Sequence, residues 1–584
     1  MTTLSRTPAS FSRLTAVFSA DRETQAIAIQ TALAVLLFAL PYLAGGLANG
    51  GHYTPFSIGS RVSDLVYDET FEYAAQVSAW LRRGTLRMES VAELMPGKGI
   101  YPPLPIVLTS AVARLTGSLD TAWIALHLLC PALLWCLVFR LLRRFDDDWL
   151  ACSALTWFVM LVPFGPRNAL LLGRFSLGKP IDYARFPDPC LTFLFLLGAL
   201  WAAARARSLR SAVVAGIAGG MLFYSYYFFW ILFLGAIGLH LCAAAVGRRP
   251  RRAIGWWVTA TTAIATGAPY LWITHRAQPA MRLLMARMGS FQRQPDLFGL
   301  ALAIAALAAL GVRYRRNSSE SDRAELAAMG LATLGAVGIG LNFQLLSGYN
   351  AQHQKHFFNM AFQPFAAMAL AIAFLAYARG SRLRRGLSSA AIGLIALTAF
   401  REIACGVRTA PDHRSDAPLL KALRWARDST EGAEVIASSA AQAIPLIPAI
   451  AGNPGFVPVS ARTSATAPDM MTRFAVTGYL EGKDLAELRD QLFAVSPAFS
   501  DRPWLSVGYL LWGAGAFNPD ADLRGLLDSA WAALNLPQAL ASRRLDLLLL
   551  PRTADLRRLR QHFRGIEFAY QNAEWELLRL SGVY

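Results

Sequence analysis

Residues 26–48 read AIAIQTALAVLLFALPYLAGGLA. The stretch carries no charged side chain and is long enough to cross a hydrocarbon core of about 30 Å. Lipid offers no hydrogen-bond partner to a bare peptide group, so such a segment must be helical. No small-residue cleavage site followed by a polar start appears after Leu47, so the segment reads as a retained helix and not as a signal peptide. Ala122 to Leu142 and Ala253 to Thr274 repeat the pattern at roughly 20 residues each.

The rest of the chain agrees. Of its 584 residues 55% are hydrophobic and only 16% charged, with a mean hydropathy of +0.37; soluble domains carry about a quarter charged residues. The net charge of +18 comes from 56 basic against 38 acidic residues. Those cations are not a nucleic-acid stripe. Arg140, Arg143 and Arg144, then Arg205, Arg207 and Arg210, Arg248, Arg249, Arg251 and Arg252, Arg313, Arg315 and Arg316, and Arg379, Arg382, Arg384 and Arg385 fall in short loops between apolar spans, the positive-inside pattern. The six cysteines lie in or beside apolar segments and form neither a disulfide framework nor a metal-ligand spacing.

With the Arg clusters cytoplasmic, and Arg6, Arg13 and Arg22 ahead of the first span, the N-terminus is cytoplasmic. The further spans are 121–142, 149–164, 190–205, 211–224, 226–246, 253–274, 297–312, 324–346, 357–378 and 386–405, about eleven in all. Leu104 to Thr116 is apolar but short, and a crossing there would invert the Arg140 cluster. It is expected to be a helix at the outer interface, started by Pro102-Pro103. The outward segments are then 49–121, 164–190, a tight turn near Tyr224 to Tyr227, 275–296, 346–356 and everything after 406. The aromatic run from Tyr224 to Trp230 and the glycines Gly216, Gly219 and Gly220 read as helix packing.

From Pro411 the texture becomes that of a globular α/β domain: a helix over 418–428, strands at Glu434–Ala437 and Leu545–Leu550, and a hairpin around Asn572. The expected fold is therefore mainly α. Residues 1–409 form a polytopic transmembrane helix bundle with a large first outer loop at 49–121. Residues 410–584 form a soluble extracytoplasmic α/β domain, big enough for a core of its own.

Chemistry is most expected in the first outer loop, which reads Tyr67-Asp68-Glu69-Thr70-Phe71-Glu72-Tyr73-Ala74-Ala75-Gln76. Adjacent carboxylates at a membrane surface can act as a general base, bind a cation or be solvated. Phe71, Tyr73 and Trp80 interleave these acids and would hold part of the loop against apolar surface, where a carboxylate is tuned. Two later outer loops are basic: Arg174, Lys179 and Arg185 in the first, and His353, Lys355 and His356 at the start of a span in the second, where charge is costly and a helix N-terminus favours an anion. His353 and His356 are also spaced to share a metal on one helical face, but further ligands are missing.

A first span, an outward loop with Asp68-Glu69 and then Tyr73, a helix containing Ala74-Ala75-Gln76-Val77, Gly84, and Tyr101-Pro102-Pro103-Leu104 together resemble the polytopic glycosyltransferases of the GT-C superfamily. That superfamily includes protein O-mannosyltransferases, oligosaccharyltransferases and lipid A aminoarabinose transferases. The sharp motifs occupy residues 64–105, and the topology spans about 25–405. The resemblance implies an inverting transfer of a sugar from a polyprenyl-phosphate-linked donor to a glycan, lipid or protein acceptor, at the outer face of a bacterial inner membrane. It implies Asp68 and Glu69 as catalytic, with Tyr73, Arg174, Lys179, Arg185, His353, Lys355 and His356 binding substrate. No metal ligands are assigned, and Mg or Mn stays open as a cofactor. The rivals are a lipid-linked-glycan transporter or flippase, a glycan polymerase or ligase, and a non-catalytic receptor. Paired halves with matching broken helices, a transporter hallmark, are not evident.

Overall fold

In a computed structural model the chain is described over residues 22–56, 73–86, 102–161, 190–226, 228–276, 289–290, 294–316, 321–348, 350–351, 357–378, 381–458, 465–493 and 523–583. The membrane region consists of helices α1 (Arg22–Ala48), α2 (Ala75–Arg83), α3 (Pro103–Thr116), α4 (Leu119–Leu142), α5 (Trp149–Leu161), α6 (Cys190–Ala204), α7 (Leu209–Gly220), α8 (Phe229–Val246), α9 (Pro250–Arg276), α10 (Leu297–Arg315), α11 (Asp322–Leu341), α12 (Gln363–Tyr377) and α13 (Ser381–Thr409). Among the described residues seven helical segments are both long and apolar enough to cross a membrane, including Thr24–Ala48, Leu119–Leu142 and Phe229–Val246. Shorter apolar helices cover Trp149–Leu161, Cys190–Ala204 and Leu209–Tyr224. The chain is a multi-pass membrane protein.

Helix contacts inside the bundle follow from small residues. A Cβ on Gly216 would stand 2.5 Å from Cβ of Thr262, and one on Gly220 would stand 2.9 Å from the Ala263 carbonyl oxygen. Helices α7 and α9 therefore run in close contact, as the glycine pattern predicts. The aromatic run is packing as well: Phe223, Tyr226 and Phe229 are buried, and Phe229 meets Phe193 of α6 with ring centroids 6.0 Å apart.

The Arg-rich turns gather the few acids near them. Arg384 bonds Asp146 at 2.7 Å and Asp148 at 2.8 Å, joining the α4–α5 turn to the start of α13. Glu325 at the start of α11 receives Arg252 at 3.1 Å and Arg313 at 3.0 Å, and Asp322 receives Arg207. These ends form one side of the bundle. On the opposite side Asn49 donates to the Ala410 carbonyl, and Arg424 bonds Asp120 at 2.9 Å.

That opposite side carries the C-terminal domain. Its helix α14 (Pro418–Ser429) and strands β3 (Ile436–Ala437), β4 (Leu547–Pro551), β5 (Phe563–Gln571) and β6 (Trp575–Val583) lie where the sequence predicts them. A two-residue pair earlier in the chain, β1 (Gly289–Ser290) with β2 (Asn350–Ala351), precedes them. The four C-terminal strands order as β3-β4-β6-β5, with β3 parallel to β4 and the other pairs antiparallel. Asn572 Oδ1 accepts from the backbone N–H of Glu574 and Trp575 and turns the β5–β6 hairpin.

Strand β4 shows how the domain sits. Successive side chains point to opposite faces of a sheet. Leu548 and Leu550 join Leu578, Phe474 and Leu488 in a core internal to the domain. Leu547 and Leu549 face the other way, joining Ile436, Leu577 and Trp575 in a core that also contains Tyr73, Ile106, Trp123 and Cys190 from the membrane region. The C-terminal residues thus contribute to two cores, one made of their own side chains and one shared with the membrane region.

Candidate active site

The shared core is built around the first outer loop. Phe56 is 1% exposed and Tyr73 2% exposed, and these two residues bracket the stretch that carries Asp68 and Glu69. Both belong to the same core, where the Phe56 ring meets Trp123 of α4 with centroids 5.3 Å apart. Of the nine site residues expected from the sequence, Tyr73 is described; Asp68, Glu69, Arg174, Lys179, Arg185, His353, Lys355 and His356 lie outside the described residues.

The boundaries of the basic loops are described. Cys190, the first residue of α6, follows the segment with Arg174, Lys179 and Arg185, and it is fully buried in the core that holds Phe56 and Tyr73. The third segment is bracketed by Ala351 and Phe357. Ala351 pairs with Gly289, and Asn350 with Ser290, which ties two predicted outward loops to each other. Asn342 and Gln344 strengthen that link, since the Asp296 N–H donates to Asn342 Oδ1 at 2.8 Å and Gln344 Nε2 donates to the Gln294 carbonyl at 3.0 Å. Phe357, 1% exposed, packs against Gly340 and Phe228. It belongs to the bundle core, and Leu194 and Phe195 of α6 pack against both cores.

Helix α2 itself is enclosed. Ala75, Gln76, Val77, Ser78 and Ala79 are all buried, and five consecutive residues at 100° per step cover the whole helix circumference. One side is fastened to the C-terminal domain. Ser78 Oγ donates to the Ala449 carbonyl, while Arg82 donates to the carbonyls of Ala451 and Thr430 and to Asn453 Oδ1 at 2.7 Å. The segment that accepts these bonds turns at Gly452, whose φ of +69 favours glycine, and a Cβ there would meet the Arg82 side chain at 2.6 Å. The helix stops at Gly84, in the left-handed region with φ 64, whose N–H bonds the Trp80 carbonyl.

Sequence reasoning did not single out Ser78, Arg82 or Arg83, which fasten or follow this contact. The Arg82-Arg83-Gly84 ending looks like an ordinary helix C-terminus, where cations meet the dipole and glycine caps. Burial depresses the Arg83 guanidinium to about 10, with the charge of Arg82 adding to the effect. Among the described residues no three His, Cys, Asp or Glu side chains gather to hold a metal ion.

No family model matches the chain, and no curated protein matches it either. Among solved structures it is similar to the Archaeoglobus fulgidus oligosaccharyltransferase in complex with Zn and sulfate, at 11% identity and TM-score 0.42 over 94% of this chain and 73% of that one. The apo form of that enzyme gives 11% identity and 0.42 over 91% and 69%. ArnT from Cupriavidus metallidurans bound to undecaprenyl phosphate gives 12% and 0.41 over 95% and 100%.

Proposed function

We propose that the protein is a membrane glycosyltransferase that moves a sugar from a polyprenyl-phosphate-linked donor to an acceptor hydroxyl at the outer face of a bacterial inner membrane. One observation carries the reading: Phe56 and Tyr73, which bracket the acidic stretch, and Cys190, which ends a basic one, are buried in one core. Residues flanking the candidate base and the first group of candidate phosphate ligands thus belong to one water-excluding core, the kind of scaffold that a positioned active site needs.

In this mechanism Asp68 or Glu69 takes the proton of the acceptor hydroxyl. The acceptor oxygen attacks the anomeric carbon from the side opposite the phosphate, the new C–O bond forms as the old one to the phosphate breaks, and the configuration inverts. Arg174, Lys179, Arg185, His353, Lys355 and His356 supply cations for the charge that grows on the leaving polyprenyl phosphate, an electrostatic effect that is often the largest single contribution. Tyr73, buried in the shared core, is the substrate-binding aromatic of the first loop in this reading. The C-terminal domain, fastened to α2, would position the acceptor.

The test is transfer of a radiolabelled sugar from polyprenyl phosphate by membranes containing Asp68→Asn, Glu69→Gln or both. Loss of transfer in at least one folded, inserted single variant is expected. Undiminished transfer in the double variant sinks the mechanism, and movement of the lipid-linked sugar across the bilayer without product would favour a transporter.

A further inference from the structure

Two side chains on α2 hold buried polar atoms that the described residues leave without a partner. Gln76 is 0% exposed, and neither its Nε2 nor its Oε1 has a hydrogen-bond partner. Arg83 likewise buries Nε and Nη2 without a partner. A buried amide or guanidinium left unpaired opposes folding, because each has given up its water for nothing in return. Native interiors keep such groups rarely, and at sites where something else completes them.

The positions of the two are related. Seven residues of helix turn through almost two full turns, so Gln76 and Arg83 lie within about 20° of one face and about 10 Å apart along the axis. Ser78 and Arg82, which fasten the helix to the C-terminal domain, point elsewhere on it. The face with unpaired groups is therefore not the docking face. It begins one turn after Tyr73, the residue that ends the acidic stretch.

The chemistry of the missing partner follows from the groups. A carboxamide with both atoms unpaired wants a ligand that donates and accepts side by side, which a sugar's vicinal hydroxyls do. A buried guanidinium wants an anion, and its planar fork suits a phosphate. We infer that the Gln76–Arg83 face of α2 binds the headgroup of a glycosyl phosphate, with Gln76 pairing to sugar hydroxyls and Arg83 to phosphate oxygens. The inference rests on the donor class proposed above and adds to it a sugar-reading residue and an anion ligand on the first-loop helix.

The experiment is thermal unfolding of the full-length protein in lipid nanodiscs, alone, with undecaprenyl phosphate, and with undecaprenyl phosphate carrying a neutral hexose or pentose. For Gln76→Leu the ligand-free midpoint should equal or exceed that of the wild type, because an unpaired amide has been replaced by an apolar group of similar size. The shift with bare lipid should persist. The extra shift from the sugar should vanish, with affinity for the sugar-lipid falling about tenfold. Arg83→Gln should lose the shift with both lipids. Gln76→Met repeats the test with a different shape.

A Gln76→Leu protein that melts lower than wild type and keeps the sugar-dependent shift overturns the assignment, as does failure of both Gln76 variants to fold, since the amide would then serve the structure. Retention of the bare-lipid shift in Arg83→Gln overturns the anion half. If the wild type responds to no lipid, the donor reading falls and takes this inference with it. A wild-type response with unaltered variants removes the inference alone.

Discussion

Arg82 of α2 donates to Oδ1 of Asn453 at 2.7 Å, a bond between residues 371 positions apart that fastens the first-loop helix to the C-terminal domain. Its other bonds go to the carbonyls of Ala451 and Thr430, so removal of the side chain takes a charged donor from three acceptors at once. Arg82→Ala should cost about 2–3 kcal/mol, since hydrogen bonds to a charged donor are the stronger kind. Transfer should fall with it, because the helix that follows the acids loses its seat. Arg82→Lys should recover only part, having no planar fork. Denaturant unfolding in detergent checks the first value, and an unchanged midpoint in Arg82→Ala would show that the link carries no weight.

The brackets of the acidic stretch make a second prediction. Phe56→Ala and Tyr73→Ala each remove a ring that is almost wholly enclosed, and each should destabilise by about 3–5 kcal/mol. Tyr73→Phe keeps the ring and should keep most of the stability that Tyr73→Ala loses. Thermal melts of the three proteins side by side separate ring packing from the hydroxyl.

Close helix packing gives a third. Gly216 lies against Thr262, with the Thr259 carbonyl oxygen 2.7 Å from a hypothetical Cβ, so Gly216→Val must push α7 away from α9. The expected cost is about 1–3 kcal/mol or more. Gly238, where a Cβ would meet nothing within 4 Å, is the control, and Gly238→Ala should melt like the wild type.

Acid sensitivity gives a fourth. Burial alone would raise the Asp146 carboxyl, but the hydrogen bonds from Arg384 and the Asp148 backbone and the charges of Arg384 and Arg143 hold it below the usual carboxylate range. A depressed folded value means that the stabilisation is fully present above the unfolded value of about 3.9 and is lost as pH falls through the folded one. Unfolding followed below about pH 4 should show this loss in the wild type. In Arg384→Gln the same limb should be flatter, with a difference at neutral pH of about 1 kcal/mol for a pair that is partly solvated. Identical acid limbs would count against the pair.

Much of the fold is legible in the chain because its causes are local. Apolar stretches that cannot leave a peptide group unpaired in lipid become helices, and the helices over Arg22–Ala48, Leu119–Leu142 and Phe229–Val246 follow the expected spans closely. The same holds for Pro103–Thr116, started by its prolines, and for the hairpin at Asn572. The Arg-rich turns were legible as one side of the bundle, and their pairing with Asp146, Asp322 and Glu325 follows once they meet.

Residue identity and spacing determined long apolar helices such as Arg22–Ala48 and Leu119–Leu142, the Arg-rich ends of the bundle and the C-terminal strands. Tertiary structure alone decided that α2 is walled in between the bundle and that domain, that Leu547 and Leu549 serve a core shared with Tyr73, and that Gln76 and Arg83 are left unpaired. The physical reason is range. Backbone satisfaction and helical period are set by neighbours along the chain, whereas the partners of Arg82 and the lack of partners at Gln76 depend on segments brought together only by folding.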